Sequence, residues 1–179
     1  MWYPVSDIVT GEPVSEADAQ AQIFADEDDF EVSIEMLIAS ARAHVEAYCN
    51  RQFATHAMAW ACDGFGDFRR LPAAPATAIT AISYLNPAGE ETTLDAANYI
   101  LRADGMEPWI ALADGAQWPQ RQPGSRVTVV GIFGGCPPDV KHAMLLLIGD
   151  GFTTRENVAR PVWTAVDALL ANHRRGAWV

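Results

Sequence analysis

The sequence predicts an α+β protein in which N- and C-terminal helices form a helical bundle with an inserted antiparallel β-rich subdomain. Apolar residues recur at helical spacing near both ends of the 179-residue chain. Short β-prone runs, broken by Gly, Pro, Asn and Asp, occupy the middle. Because 50% of the residues are apolar, we expect one connected domain with helical segments 1–53 and 136–173, a β-rich insertion 54–135 and a tail 174–179.

Two helices are predicted before residue 54. Ser15 is a good N-cap, and Asp18 belongs to an acidic first turn, so a short helix is expected to about Phe24. Asp28, with Glu31 three residues later, forms a capping-box-like pattern that predicts a second helix. One face of this second helix is apolar and is expected to be buried: Ile34, Leu37, Ile38, Ala41, Val45 and Tyr48.

The middle of the chain contains seven candidate strands separated by turn residues. Asn86-Pro87-Ala88-Gly89 is typical of a turn, because proline presets one backbone angle and glycine admits another. Leu71-Pro72-Ala73-Ala74-Pro75 is too proline-rich for a central strand. The predicted strands are Thr55–Cys62, Phe68–Leu71, Ala76–Leu85, Glu91–Leu94, Tyr99–Arg102, Trp109–Leu112 and Arg126–Phe133.

Two further helices are predicted after the strands. Pro137-Pro138 opens the first, in which Ala143, Met144, Leu147 and Ile148 form a buried stripe. Gly149 and Gly151 are expected to weaken its end, since each costs about 1 kcal/mol relative to alanine in a helix interior. Pro161 is expected to begin the last helix, and a basic tail follows it. The residues expected to face inward in that helix are Val162, Val166, Leu169 and Leu170.

Charge and hydropathy exclude several classes of protein. The formal net charge of -11 disfavours a nucleic-acid-gripping protein, because duplex binding depends on clustered Lys and Arg. The acidic excess is densest from Glu12 to Glu46. It is interpreted either as a solvated surface or as a wall that repels DNA. No apolar run reaches the roughly 20 residues that span a bilayer, and the first residues lack a secretory pattern, so a cytoplasmic origin is expected.

The sequence carries no recognisable catalytic, cofactor or metal motif. Asp26, Asp28, Asp29 and Glu31 lack the glycine and distal glutamate of a calcium loop. The run Gly131-Ile132-Phe133-Gly134-Gly135 matches neither a phosphate loop nor a dinucleotide loop. No histidine has metal-ligand spacing: His44, His56, His142 and His173. We therefore predict a non-enzymatic protein with no cofactor.

Three cysteines, Cys49, Cys62 and Cys136, lie far apart and form no C-x-x-C pair. A disulfide framework or a zinc site is therefore not expected, and the thiols are predicted to be reduced. Cys49 is interpreted as a small core residue of the second helix, because cysteine is among the most often buried residue types.

The order of these features resembles the head-tail connector, or adaptor, proteins of long-tailed bacteriophages and phage-like gene transfer agents. The likeness extends over most of the chain, and it rests on order and spacing rather than on one specific motif. The segments that carry it are Asp28–Glu31, Leu37–Tyr48, Leu71–Pro75, Ile82–Tyr84, Tyr99, Trp118–Pro119, Val127–Gly131, Pro138–Ala143, Thr154–Glu156, Val166–Leu170 and Arg174.

The resemblance implies a structural role in virion assembly. Such proteins form a homo-oligomeric ring, a dodecamer of about twelve subunits, beneath the portal protein. The ring joins the DNA-filled head to the tail, and DNA crosses its channel without specific binding. The implied partners are other copies of the chain, the portal and a stopper or tail-side neck protein, with no membrane involved. The implied location is the bacterial cytoplasm during assembly and then the particle neck.

Because adaptors of this kind resemble one another in using their C-terminal ends against the portal, the tail is the candidate site. Its portal-binding residues would be Arg174, Arg175, Trp178 and Val179. The alternative is a frayed tail whose arginines are favourably placed at a helix C-terminus. Two other functions also stay open: another neck component, such as a stopper or tail terminator, and a small metal-dependent hydrolytic enzyme that uses the acidic cluster.

Overall fold

The computed structural model describes residues 1–24, 33–154 and 164–176. The chain divides into two compact units, each built from two separate segments. The sheet unit comprises Met1–Thr10 and Thr55–Gly134, and the helical unit comprises Gly11–Ala54 and Gly135–Val179. That the whole chain acts as a single connector domain stays a prediction.

The sheet unit contains a five-stranded sheet and a two-stranded sheet. The five strands lie in the order β1 (Trp2–Gly11), β2 (Thr55–Cys62), β7 (Val127–Phe133), β3 (Ala76–Leu85) and β4 (Glu91–Thr93). Strands β5 (Tyr99–Arg102) and β6 (Trp109–Leu112) pair with each other. The central strand β7 pairs antiparallel with both β2 and β3, so that Val129 lies opposite Trp60 and Ile82. Its alternating burial follows the period of two that strands impose.

The helical unit contains α1 (Glu16–Ile23), α2 (Ile34–Cys49), α3 (Pro138–Thr153) and α4 (Ala165–Leu170), followed by a 3-10 turn at Ala171–His173. Capping boxes start α1 at Ser15 and α4 at Thr164, where each hydroxyl accepts a backbone N–H and an aspartate reaches back. No described helix has the length and hydropathy needed to cross a bilayer. The helices share a core of apolar residues that includes Ile38, Val45, Val140, Met144, Ile148 and Leu170.

The predicted helices agree with the structure in several respects. The Ser15 cap is confirmed, and the predicted face of α2 packs into the core, together with Cys49. The capping pattern at Asp28 lies outside the described residues, and α2 is observed from Ile34. Helix α3 runs through both of its glycines to Thr153. A Cβ added to Gly151 would lie 3.2 Å from Leu37 Cδ2, so glycine suits the close packing of α3 on α2.

The predicted fold class is wrong. The described chain has seven strands and four helices, and it is not a bundle of N- and C-terminal helices with a β-rich insertion. The first element is the ten-residue strand β1, which forms an edge of the five-stranded sheet. Almost all of β1 is exposed, so it lacks the alternation of apolar and polar residues that would reveal a half-buried strand. Tertiary contacts hold it instead: Trp2 donates a hydrogen bond to the Arg70 carbonyl at 2.9 Å.

The predicted strand at Phe68–Leu71 is also wrong. A 3-10 helix spans Phe65–Arg69, beginning after Gly64. It is stabilised by the Asp67 carboxylate, which accepts the backbone N–H of Asp63 at 3.0 Å. Phe68 is buried in the core of the sheet unit. The apolar run therefore reflects an aromatic anchor in a short turn, and a local pattern of this length does not distinguish that from a strand.

Candidate functional site

The C-terminal segment of the described chain is seated against the end of α2. The 3-10 turn that follows α4 places His173 Nε2 at 2.6 Å from Asp139 Oδ2, in the first turn of α3. The His173 ring also meets Phe53 edge-on, with centroids 6.3 Å apart. The hydrogen bond from His173 lowers the pKa of the Asp139 carboxyl, and the Val140 backbone N–H adds to this effect. The chain is thus fixed immediately before the tail.

Two backbone contacts extend this seat to Gly176. The Arg175 N–H donates to the Cys49 carbonyl at 2.8 Å. The Asn50 side-chain amide donates to the Gly176 carbonyl at 3.4 Å. Asn50 adopts the left-handed conformation (φ 51°) that ends α2, and this turn presents both groups to the incoming segment. The root of the tail is therefore part of the folded helical unit.

Three arginines converge on this end of α2. Arg51 and Arg174 both act electrostatically on the Cys49 thiol, and Arg175 acts on Arg51. Burial lowers the pKa of Arg51, and the nearby Arg175 lowers it further. Arg51 Nε is buried without a hydrogen-bond partner in the described structure. The Arg174 guanidinium lies 5.0 Å from the centre of the Tyr48 ring, a cation–π contact. We call Arg51 and Arg174 the arginine pair.

The predicted site residues have different environments. Arg174 is exposed, whereas Arg175 is only 5% exposed and anchors the segment. Trp178 and Val179 lie outside the described residues. Arg51 was not among the predicted site residues. The sequence feature that could have indicated Arg51 is its position just after the C-terminus of a helix, where a basic residue complements the helix dipole.

A second surface lies at the opposite end of α2. An open groove of about 500 Å³ runs between the start of α1 and the first turns of α2. Buried Val14 and Ile38 lie at its base. Three glutamates line it, and one of them, Glu12, is paired with Arg42, whose Nε lies 3.0 Å from both carboxylate oxygens. The others, Glu16 and Glu35, are exposed. We call this surface the acidic groove.

The sheet unit has an aromatic groove of about 370 Å³. Phe65 and Trp118 stack within it at a centroid distance of 4.9 Å, and Phe68 meets Trp118 edge-on at 5.3 Å. Trp109, on β6, is 41% exposed at this groove. Most of these rings pack in or against the core of the sheet unit, so core packing is sufficient to explain the groove.

Among the described residues, no group of three or more His, Cys, Asp or Glu side chains could hold a metal ion. Burial raises the pKa of all three thiols, Cys49, Cys62 and Cys136, to about 11, the opposite of what activates a nucleophile. The arginine pair and the acidic groove instead suit contacts with charged groups of another macromolecule.

No family model matches the chain, and no curated protein matches it significantly. Solved structures, in contrast, match the chain over its whole length. A chain from the neck of an empty GTA particle computed with C6 symmetry superposes with a TM-score of 0.76 at 23% identity, covering 100% of this chain and 97% of that chain. This chain has the fold of a gene transfer agent particle component.

Two more gene transfer agent structures give the same result. A chain from the virion of a native gene transfer agent (GTA) particle matches with a TM-score of 0.73 at 25% identity. A chain from the neck of a native GTA particle computed with C12 symmetry matches with a TM-score of 0.74 at 21% identity. Each covers 100% of this chain and 97% of the other. The shared fold therefore includes both units and is not limited to one common motif.

Proposed function

We propose that the chain is a head-tail adaptor. Copies of it form a ring, a dodecamer in our proposal, beneath the portal of a phage-like particle, join the DNA-filled head to the tail and provide part of the DNA channel. The observation that carries the proposal is the likeness, over 100% of the chain, to chains of particle necks computed with C6 and C12 symmetry. The role is structural, with no catalytic step, and its place is the particle neck after assembly in the cytoplasm.

The charge of the chain supports passage of DNA rather than binding. A net charge of -11 repels phosphate and offers few cations to replace counterions. A channel built from such subunits lets DNA slide during packaging and ejection. The tail-side partner in this proposal is a stopper or another neck protein.

The tail is the proposed contact with the portal. Arg175 anchors its root, as the 2.8 Å backbone bond to Cys49 indicates, and Arg174 is exposed beside it. Burying Trp178 would remove roughly 150–250 Å² from water, a gross gain of about 4–6 kcal/mol before ordering costs. Repeated around a ring, a small net gain per subunit accumulates through avidity. Val179 completes this apolar end.

Light scattering with purified portal from the same genome tests the proposal. An increase in the mass of the portal peak by about one ring of chains supports an adaptor. A chain that stays monomeric and does not comigrate with portal contradicts it and favours a stopper or tail terminator. A metal-dependent hydrolytic activity in the purified chain would contradict the structural role.

A truncation tests the tail separately. Deleting residues 177–179 should leave the fold intact, because Gly176 and its contact with Asn50 remain. We expect this variant to lose comigration with portal and joining of filled heads to tails. The matched control is Asp104→Asn, an exposed change in the sheet unit. Full joining by the truncated chain would remove the tail from the portal contact.

A further inference from the structure

Charged side chains that form no ion pair within the described ranges lie at both ends of α2. No carboxylate in the described ranges forms an ion pair with Arg51 or Arg174. Within the same ranges, Glu16 and Glu35 also have no cationic partner. Aromatic rings rather than carboxylates contact both guanidinium groups, since Arg51 lies 5.8 Å from the centre of the Phe53 ring and Arg174 lies 5.0 Å from that of Tyr48. One helical unit thus carries unpaired charge of both signs.

The two surfaces are well separated. The acidic groove includes Glu35 in the first turn of α2, and Arg51 follows its last residue by two positions. The 16 residues of α2 span about 24 Å at 1.5 Å per residue. The arginine pair of one copy is therefore too distant to fill the groove of the same copy. A contact between these surfaces requires two copies.

We propose that the arginine pair of one copy binds the acidic groove of the next copy, so that successive copies join head to tail. Such a contact is heterologous, because two different surfaces of the chain meet, and repeating it generates a ring when the rotation closes. This inference rests on the proposed ring function. It adds the surfaces and the residues that join the subunits.

The chemistry of both surfaces fits this partner. Guanidinium groups form bidentate, charge-assisted hydrogen bonds with carboxylates, and Glu16 and Glu35 would supply the acceptors. Val14 and Ile38 at the base of the groove suit the aliphatic stems of arginine. Arg174 is already held on Tyr48, so less side-chain freedom is lost on binding.

DNA is a poorer partner for the arginine pair. Nucleic-acid affinity grows with the number of phosphates neutralised, and two arginines in a chain of net charge -11 neutralise few. Arg51 Nε is also buried, whereas the cations that follow a phosphate backbone form an exposed basic stripe. A carboxylate of a neighbouring copy can pair with a single guanidinium group and needs no such stripe.

Charge reversal on each surface gives a direct test by sedimentation and native mass spectrometry. One variant carries Arg51→Glu and Arg174→Glu, and the other carries Glu16→Lys and Glu35→Lys. Each variant alone places like charges at every contact, so we expect self-association at least tenfold weaker than that of the parent chain. An equimolar mixture should recover even-numbered rings with a 1:1 composition, because alternating copies restore opposite charges at every contact. A chain with all four changes should also recover assembly.

Matched controls change the same charges in the sheet unit. Arg69→Glu with Arg102→Glu, and Asp104→Lys with Asp114→Lys, use exposed residues and should assemble like the parent. Circular dichroism checks the fold of every variant. If Arg51→Glu prevents folding, the milder pair Arg51→Gln and Arg174→Gln replaces it, with the same expected weakening.

Each outcome decides the inference. Weakening in both reversed variants and recovery in the mixture supports it. Normal assembly by the reversed variants overturns it while leaving the ring function intact. If the variant with reversed arginines forms normal rings that no longer comigrate with portal, the inference is also overturned, and the arginine pair is then a contact with the portal. A parent chain that stays monomeric at every concentration, with and without portal, contradicts the ring function, and the inference falls with it.

Discussion

Glu46 Oε1 accepts a hydrogen bond from the backbone N–H of Phe53 at 2.7 Å. The same oxygen accepts the N–H of Ala54 at 3.0 Å, while the other oxygen lies 3.3 Å from an Arg42 nitrogen. Phe53 and Ala54 are buried, so without the carboxylate these donors would be shielded from water. One side chain of α2 therefore holds the segment that leads from the helix to β2.

Replacing Glu46 with alanine should destabilise the protein. Each buried donor left without a partner costs about 1–3 kcal/mol, so the loss of two such bonds should lower the free energy of unfolding by roughly 2–6 kcal/mol. Urea denaturation followed by circular dichroism measures it. Glu46→Gln retains an acceptor oxygen and should lose roughly 1 kcal/mol. Equal losses for the two variants would contradict this role of the carboxylate.

Gly131→Ala should disrupt the central strand. A Cβ at this position would lie 2.6 Å from the Ala78 carbonyl oxygen, which belongs to the backbone of β3 and cannot rotate away. Overpacking of this kind costs about 1–3 kcal/mol, and thermal unfolding would show it as a lower midpoint. Gly66→Ala is the control, because nothing lies within 4 Å of its added Cβ. A Gly131→Ala midpoint equal to that of the control would refute the clash.

The pKa of Asp18 predicts a specific pH dependence. The hydrogen bond from Lys141 at 2.8 Å, followed by those from Ser15, lowers this pKa to about 2. An unfolded aspartate titrates near 3.9, so the stabilisation is present above about pH 4 and is lost as pH falls through about 2. Asp18→Asn should therefore be less stable than the parent at pH 6, with the difference shrinking toward pH 2.

NMR titration of the Asp18 carboxyl provides the direct measurement. Lys141→Met removes the largest contribution, so it should raise the pKa of Asp18. Asp63, in the sheet unit, serves as the internal reference: the N-terminal amino group, not Lys141, lowers the pKa of its carboxyl, so that pKa should be the same in both proteins. A Lys141→Met protein with an unchanged Asp18 titration would show that the lysine is not the cause.

The three thiols should react slowly in the folded protein. Because burial raises the pKa of Cys49, Cys62 and Cys136 to about 11, only about one thiol in a thousand is ionised at pH 8. We expect an aromatic disulfide reagent to label them fully only in denaturant, with partly exposed Cys136 first among the native thiols. Equal labelling rates before and after unfolding would contradict the buried positions.

The sequence correctly predicted the elements that bury one side against a core, because such burial leaves a regular pattern of apolar residues. The face of α2 and the alternation in β7 both follow from the packing of one surface against a core. Strand β1 was not predicted, because Val5 and Ile8 are about 60% exposed and give no burial pattern. Its stability depends on contacts such as the hydrogen bond from Trp2 to Arg70, 68 positions away. A sequence pattern reports only on residues that are close together in the chain, and these contacts join residues that are far apart in it.

The candidate site was only partly predictable for the same reason. A basic tail is visible in the sequence, and for that reason Arg174 was predicted as a site residue. Arg51 became a site residue only when the fold brought the tail root back to Cys49, through the 2.8 Å bond from Arg175. The burial of Arg175, at 5% exposure, likewise depends on how this root is seated. Residues separated by more than 100 positions in the chain gave no local pattern to detect.

The interleaving of the two units affects how the chain folds during synthesis. Helix α2 leaves the ribosome with its apolar face ready, but its partner α3 begins only at Pro138. At 5–20 residues per second, the delay is roughly 4–18 s. Strand β1 waits in the same way for β2, its neighbour in the sheet. The sheet unit is complete once Gly134 has been translated, whereas the helical core cannot close before α3 has been made. A chain that stops before α3 therefore keeps the apolar face of α2 exposed, which makes it prone to aggregation.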